Sequence, residues 1–482
     1  MPKRIIVCCD GTWQDSDSGT EGYPSNVAKL SRMIAPVGKT AAGNPIDQVV
    51  FYQAGVASGD VGWLEKRLQG AFGDGLEQHV IECYHFIATN WYPGDEICLF
   101  GFSRGAYTAR AVAWTVTQMG MLKPVDLEHF PWLYRYFKAH HDTIVFGPDS
   151  ESDELKEWTK SKLNQQGKPL RMLKTAPAKA QIEVVGVWDT VGSLGLPDSI
   201  WSRMFSLNKG LQFYNTALNS NIKHAFQALA LDEHRGAFTP TLWYLEPEFK
   251  GKVDLRQCWF PGYHCDIGGG WFTSATENQR NIDQHSLAWM CDQIDGLVSF
   301  DAEAAELTLP KVDPAAQWSG AMTVDPITTF YSTDLGGGSK HRTPGSYHHG
   351  ELTKEEPDPE KDNSTVERMH PCVQLRIEAQ EYGYFPKALD ERKTWFGINT
   401  PRWTFVDRSN IGDGARWVRP KIEAQKKLAK TIPLENQIEI KEHIIREIPG
   451  MNNFEIGLLP KEVKEKLNHR NRNELANPTR KF

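Results

Sequence analysis

The residues of this chain best suited to chemistry are a serine set between two glycines and a scatter of aspartates and histidines that follow it. Ser103 stands in Gly101-Phe102-Ser103-Arg104-Gly105. The apolar run 97–100 reads as a strand and residues 106–117 as a helix, so the serine occupies a sharp strand-to-helix turn. Such a turn needs small residues on both sides, because strand and helix approach too closely to admit a Cβ. It exposes the hydroxyl at the sheet edge and aims the next backbone N–H, that of Arg104, at a substrate oxyanion. The chemistry implied is nucleophilic attack on an acyl group. A second oxyanion donor is expected from the loop after an earlier strand. There Asp10-Gly11-Thr12-Trp13 follows the apolar run 4–9, and Gly11 and Thr12 are the candidates. Asp10 either lines the site or closes its own loop.

A serine hydroxyl is a weak nucleophile until a histidine takes its proton, and that histidine needs an orienting carboxylate. Hydrolases with this elbow place them in the order Ser, Asp/Glu, His. Two sets obey it here, Ser103–Asp266–His370 and Ser103–Asp189–His264. Counting strands favours the first, since Asp266 follows the second strand after the nucleophile and His370 lies in the loop after the third. Asp189 and His264 then line the site, and both assignments stay open. His341, His348 and His349 fall in a glycine-, histidine- and acid-rich loop, 335–362, with no paired carboxylate or cysteine to make a metal site. Gly268-Gly269-Gly270 lacks the lysine and Ser/Thr of a phosphate loop and reads as a tight turn. Arg104 can pair with an anionic substrate group or serve a structural salt bridge. No cofactor and no metal is expected.

The elements that must position these groups follow from patterning. Apolar runs near residues 4–9, 49–52, 96–100, 181–188 and 255–260 read as strands, and residues 326–331 as a further one. Helices are expected at 26–34, 62–68, 76–90, 122–140, 221–231, 282–294 and 372–379. Within 76–90, Val80, Cys83, Tyr84 and Ile87 recur at helical spacing. Pro371 suits a first helical position and leaves His370 just before the helix start. Strands alternating with helices predict an α/β fold: a doubly wound, mostly parallel sheet with helices on both faces. A strand beginning at residue 4 must be central. Ligands of such sheets bind at the carboxyl ends of the strands, where Asp10, Ser103, Asp189 and Asp266 could converge.

With 482 residues and 40% hydrophobic content, the chain can bury one large core plus an appended part. The expected division is a catalytic domain at 1–390 and a mostly helical, charged extension at 391–482. Residues 421–482 carry 13 Lys+Arg against 9 Asp+Glu, a basic end on an acidic chain. The net charge of −7 argues against a nucleic-acid partner. Eight cysteines without a C-x-x-C pair read as buried small hydrophobes in a reducing compartment. Neither a signal peptide nor a span of about 18 apolar residues is legible, so a cytoplasmic location is expected, with leaderless export left open.

Six motifs taken together resemble the DUF2235 family, the α/β-hydrolase-like domain of the Tle1 group of type VI secretion phospholipase effectors. They are Cys9-Asp10-Gly11-Thr12-Trp13, Gly101-Phe102-Ser103-Arg104-Gly105-Ala106-Tyr107, Val187-Trp188-Asp189-Thr190-Val191-Gly192, Ala230-Leu231-Asp232-Glu233-His234-Arg235, His264-Cys265-Asp266-Ile267-Gly268-Gly269-Gly270 and His370-Pro371. The likeness runs from about residue 4 to about 380, and Cys372 stands where the family pattern leads one to expect Ser. The resemblance implies a Ser-Asp-His hydrolase of carboxylic esters, with Ser103 the elbow serine and phospholipids the substrate class of the effector branch. It does not choose among Asp189, His264, Asp266 and His370 for the other two members. The expected partner is a small-molecule or lipid ester, with peripheral membrane contact. The competing expectation is a non-catalytic lipid- or protein-binding module that keeps the pocket.

Overall fold

Runs that are apolar at nearly every position become strands buried on both faces, which is how parallel sheets covered by helices read in sequence. The computed structural model describes residues 2–11, 23–55, 72–139, 180–191, 218–270, 281–309, 339, 341–347, 365–379, 383–390, 392–393, 399–400, 402–407, 415–420 and 437–470. In chain order the strands are β1 (Lys3–Cys9), β2 (Val37–Lys39), β3 (Pro45–Gln53), β4 (Glu96–Phe102), β5 (Ile182–Trp188), β6 (Ile222–Ala230), β7 (Asp254–Phe260), β8 (Glu367–Met369), β9 (Arg392–Lys393), β10 (Asn399–Thr400), β11 (Thr404–Asp407), β12 (Ala415–Pro420) and β13 (Gln437–Glu442). The helices are α1 (Asn26–Met33), α2 (Phe72–Asn90), α3 (Arg104–Met119), α4 (Phe130–Ala139), α5 (His264–Gly268), α6 (Asn281–Ile294), α7 (Ala302–Thr308), α8 (Pro371–Glu378), α9 (Phe454–Gly457) and α10 (Lys461–Arg470).

Eleven strands form one sheet in the order β11-β12-β13-β8-β7-β6-β5-β4-β1-β3-β2. Pairing is parallel from β13 through β3 and antiparallel at both edges. β1 is central as expected. Its alternate residues divide between two cores: Ile5 and Val7 pack with Val80, Tyr84, Ile87 and Val112 from α2 and α3. Ile6 and Cys8 pack with Leu30 and Met33 of α1 and Leu287 and Met290 of α6. Helices therefore cover both faces. The chain leaves β1 for β3, then returns across β1 to β4 and works outward through β5, β6, β7 and β8. The direction reverses between β1 and β4, so the crevice where such sheets bind ligands opens between Asp10 and Ser103.

One expectation is corrected. Residues 221–231 were expected as a helix and form β6, because a short apolar run fits a buried strand as well as a buried helix. β6 lies between β5 and β7, with its last six residues buried. The extension was expected at 391–482. Its described residues place β11, β12 and β13 on the main sheet beside the helices α9 and α10. Trp417 and Ile440 share a core with Leu229, Trp259 and Met369. The strand expected at 326–331 and the helix expected at 62–68 lie outside the described residues.

Candidate active site

The elbow is built by steric exclusion. A Cβ on Gly101 would lie 2.4 Å from the carbonyl oxygen of Gly105, and one on Gly105 would lie 2.1 Å from that of Cys9. Both glycines are thus demanded by the contact of α3 with β1 and β4. Ser103 takes φ 57° and ψ −121°, a region that a side-chain-bearing residue enters only at a cost of about 1–3 kcal/mol. Its backbone N–H donates to Trp188 O at 3.1 Å. The serine is thereby tied to the residue that precedes Asp189 on the neighbouring strand. Arg104 opens α3, where first-turn N–H groups have no acceptor within the helix. Burial lowers its guanidinium to about 10.

Asp189 follows β5 at φ 42° and is completely buried. Its Oδ2 lies 2.6 Å from His264 Nδ1, and its Oδ1 accepts the N–H of Ala230 at 2.9 Å. Burial pushes this carboxyl up, but the Arg342 guanidinium and His264 outweigh it and hold it well below the usual carboxylate range. His264 begins α5, and its ring packs on Phe102, the neighbour of Ser103, at 4.8 Å between centroids. Phe238 meets the same ring edge-on at 4.9 Å. A Cβ on Gly268 would overlap the Phe102 ring, so that glycine lets α5 close onto the elbow. Burial holds the His264 imidazole below its ordinary value against the pull of Asp189.

Asp266 and His370, the pair favoured by chain order, each have partners of their own. Asp266 Oδ2 accepts the N–H of Tyr263 at 2.8 Å and so caps α5. Burial raises its carboxyl to about 8. His370 caps α8 as expected, its side chain accepting from Cys372 N. Its Nε2 lies 3.0 Å from Glu455 Oε1, and its ring stacks on Phe260 at 4.5 Å. Asp10 is buried, accepting from Ser25 Oγ and Tyr52 Oη at 2.6 Å each. It also accepts the Gly11 N–H at 2.7 Å, so that donor faces Asp10 in this structure. Gly11 nonetheless comes close to the elbow, since a Cβ there would be 3.3 Å from Ser103 Cβ. Thr12, His348 and His349 lie outside the described residues. His341 packs near His234, with centroids 5.2 Å apart.

Two residues of the site carried no role in the sequence. Arg342 grips both oxygens of Asp189. Glu233 accepts the N–H groups of His234 and Arg235 and pairs with the Arg235 side chain at 2.7 Å. The signal for Arg342 was indirect: a buried carboxylate needs a cation, and nothing in spacing said which. Among the described residues no group of three or more His, Cys, Asp or Glu could hold a metal ion.

Residues 3–293 match the family model described as T6SS, phospholipase effector Tle1-like, catalytic domain. An uncharacterised protein of Saccharomyces cerevisiae (strain ATCC 204508 / S288c), YEL023C, is 26% identical over 270 residues, covering 53% of this chain and 35% of the yeast protein. Among solved structures, that of the Tle1 effector bound to the VgrG spike from the type 6 secretion system is 18% identical, with a TM-score of 0.28. It covers 56% of this chain and 51% of that one. An uncharacterised protein from Pseudomonas aeruginosa is 15% identical, with a TM-score of 0.33, covering 61% of this chain and 45% of that one. The chain spans about a third of the yeast relative and about half of each solved chain.

Proposed function

We propose, for a chain that belongs to the family of Tle1-like catalytic domains of type VI secretion phospholipase effectors, that Ser103 is the nucleophile of an ester hydrolase. In this reading His264 is its base and Asp189 the carboxylate that orients the base. The observation that carries it is the 2.6 Å contact between His264 Nδ1 and Asp189 Oδ2, made by a histidine whose ring rests on the residue next to Ser103. With Nδ1 donating to Asp189, the proton-free nitrogen is Nε2, the tautomer a general base requires. His264 Nε2 takes the Oγ proton of Ser103 as the oxygen bonds to the ester carbonyl carbon. The backbone N–H of Arg104 meets the developing oxyanion. His264 then returns the proton to the departing alkoxide, leaving an acyl-serine, and water reverses the sequence to release the acid.

The substrate class that fits the family is a lipid ester, with phospholipids foremost, taken up at peripheral contact with a membrane surface. Among the described residues no helix is long and apolar enough to cross a membrane. The test is covalent labelling of the whole chain by a fluorophosphonate probe. Labelling should occur at Ser103, disappear in Ser103→Ala, and fall at least about 10³-fold in rate in His264→Ala. A chain that takes no label is a binding module, and one that takes it equally in Ser103→Ala has its nucleophile elsewhere; either overturns the reading.

A further inference from the structure

Asp189 is held by more than the base it orients. Arg342, 153 residues away in sequence and 2% exposed, lies on its far side. The guanidinium contacts Asp189 Oδ1 through Nη1 and Oδ2 through Nη2, the latter at 2.9 Å. The same nitrogens donate to two backbone carbonyls, Ala230 O at 2.7 Å and Phe238 O at 2.9 Å. A planar fork satisfied on both sides cannot rotate without losing several hydrogen bonds. The loop that carries it, residues 341–347, is fastened by Gly345 N to Glu367 Oε2 at 2.9 Å and braced within itself by Thr343 N donating to Tyr347 Oη at 3.2 Å. Phe238, whose carbonyl receives Arg342, is also the residue whose ring meets His264 edge-on. One guanidinium thus fixes the acid and the wall against the base.

Resting on the assignment of Ser103, His264 and Asp189 above, we infer that Arg342 is a positioning residue of the hydrolase: it keeps Asp189 ionised and in the one orientation that serves His264 Nδ1. Among the described residues, these charged and titratable groups act on the pair. Arg342 and His264 face Asp189. Arg235 and Glu233 lie behind His264, with Cys265 beside it in the chain, and Glu233 and Tyr347 are the other titratable groups near Arg342. Without the guanidinium, the buried carboxylate either takes up a proton more readily or pulls harder on the imidazole. Both changes remove the neutral base and ionised acid at a higher pH than before, so the acid limb of the pH–activity profile moves upward.

The experiment measures kcat and KM across pH for a short-chain p-nitrophenyl ester with Arg342→Met and Arg342→Lys, using Ser103→Ala and His264→Ala as controls and melting temperature as the check on folding. Arg342→Met should lose about 10–10²-fold in kcat with KM little changed, and its acid limb should move up by about one pH unit. Arg342→Lys should keep most of the wild-type limb and recover only part of kcat, since it restores the charge and not the fork. If Arg342→Met does not fold, Arg342→Lys alone decides, and wild-type kcat in it overturns the inference. Wild-type kcat and limb in a folded Arg342→Met overturn it as well, while the controls stay dead. Activity surviving in Ser103→Ala instead overturns the underlying assignment.

Discussion

Ser103 and Asp189 hold φ values of 57° and 42° at the ends of neighbouring strands, angles that a residue with a side chain adopts only when its surroundings enforce them. At Ser103 the enforcing contacts are the two glycines and the N–H to Trp188 O. At Asp189 they are Ala230 N, His264 and Arg342. The surroundings act in opposite directions on the two acids that follow Ser103, lowering Asp189 and raising Asp266. Asp189→Asn should lower turnover by about 10⁴-fold through the wrong tautomer of His264, whereas Asp266→Asn should leave turnover of the same order. The second change also has a stability signature. Asp266 is held at about 8 when folded and returns to about 3.9 when unfolded. Between those values the folded chain carries a proton the unfolded chain lacks, so this group makes stability fall as pH rises. Denaturation of Asp266→Asn from pH 4 to 8 should show a flatter decline than wild type. An unchanged slope, or loss of turnover in Asp266→Asn, would return that residue to the catalytic set.

The close approach of α3 to the sheet is the decisive contact at the level of elements, and it can be tested without touching a reactive group. Gly105→Ala puts a methyl 2.1 Å from a backbone oxygen of β1 that cannot rotate aside. A loss of about 3 kcal/mol or more is expected in urea denaturation, together with slower labelling of Ser103. Gly457→Ala, where a Cβ would meet nothing within 4 Å, should stay within about 0.5 kcal/mol of wild type. Elements of this kind were legible in sequence because their signals are local. The elbow occupies five consecutive residues, and β1, β4, β5, β7, α2 and α6 were marked by their own apolar pattern. β6 was not, since a run buried on both faces carries no period to separate strand from helix. The pairing of His264 with Asp189 was equally hidden. Both candidate pairs obey the same chain order, and only the register of β5, β6 and β7 brings one histidine back over the strand ends. Arg342 lay further out of reach, because its partner was set by tertiary packing.

Across the whole molecule, the chain's later residues close onto the sheet through a trio centred on the buried Glu455. Its carboxylate meets His370 Nε2 at 3.0 Å and His443 Nε2 at 3.1 Å. Asp292 of α6 accepts the N–H groups of Phe454 and Glu455 at 2.7 and 2.8 Å, and His443 N donates to Met369 O. β8, α6, α9 and the residue after β13 are thereby locked at one point. With His264 as the base proposed above, His370 serves this trio and not the reaction. His370→Ala should lower the melting temperature while leaving kcat of the folded protein within a few-fold of wild type. Burial pushes Glu455 up, but His443 and His370 outweigh it and hold the carboxyl at about 2, against an unfolded value near 4.3. A depressed carboxylate stabilises fully above its unfolded value, and that stabilisation is lost as pH falls through the window down to about 2. Glu455→Gln should therefore be less stable than wild type at pH 7, by about 3 kcal/mol, as the buried His370 and the half-buried His443 lose their charged partner. The gap should close as pH falls from about 4.5 toward 2. Hydrogen exchange should locate the loss in residues 437–470. Equal exchange there in wild type and variant would mean that the trio does not hold the later strands and helices in place.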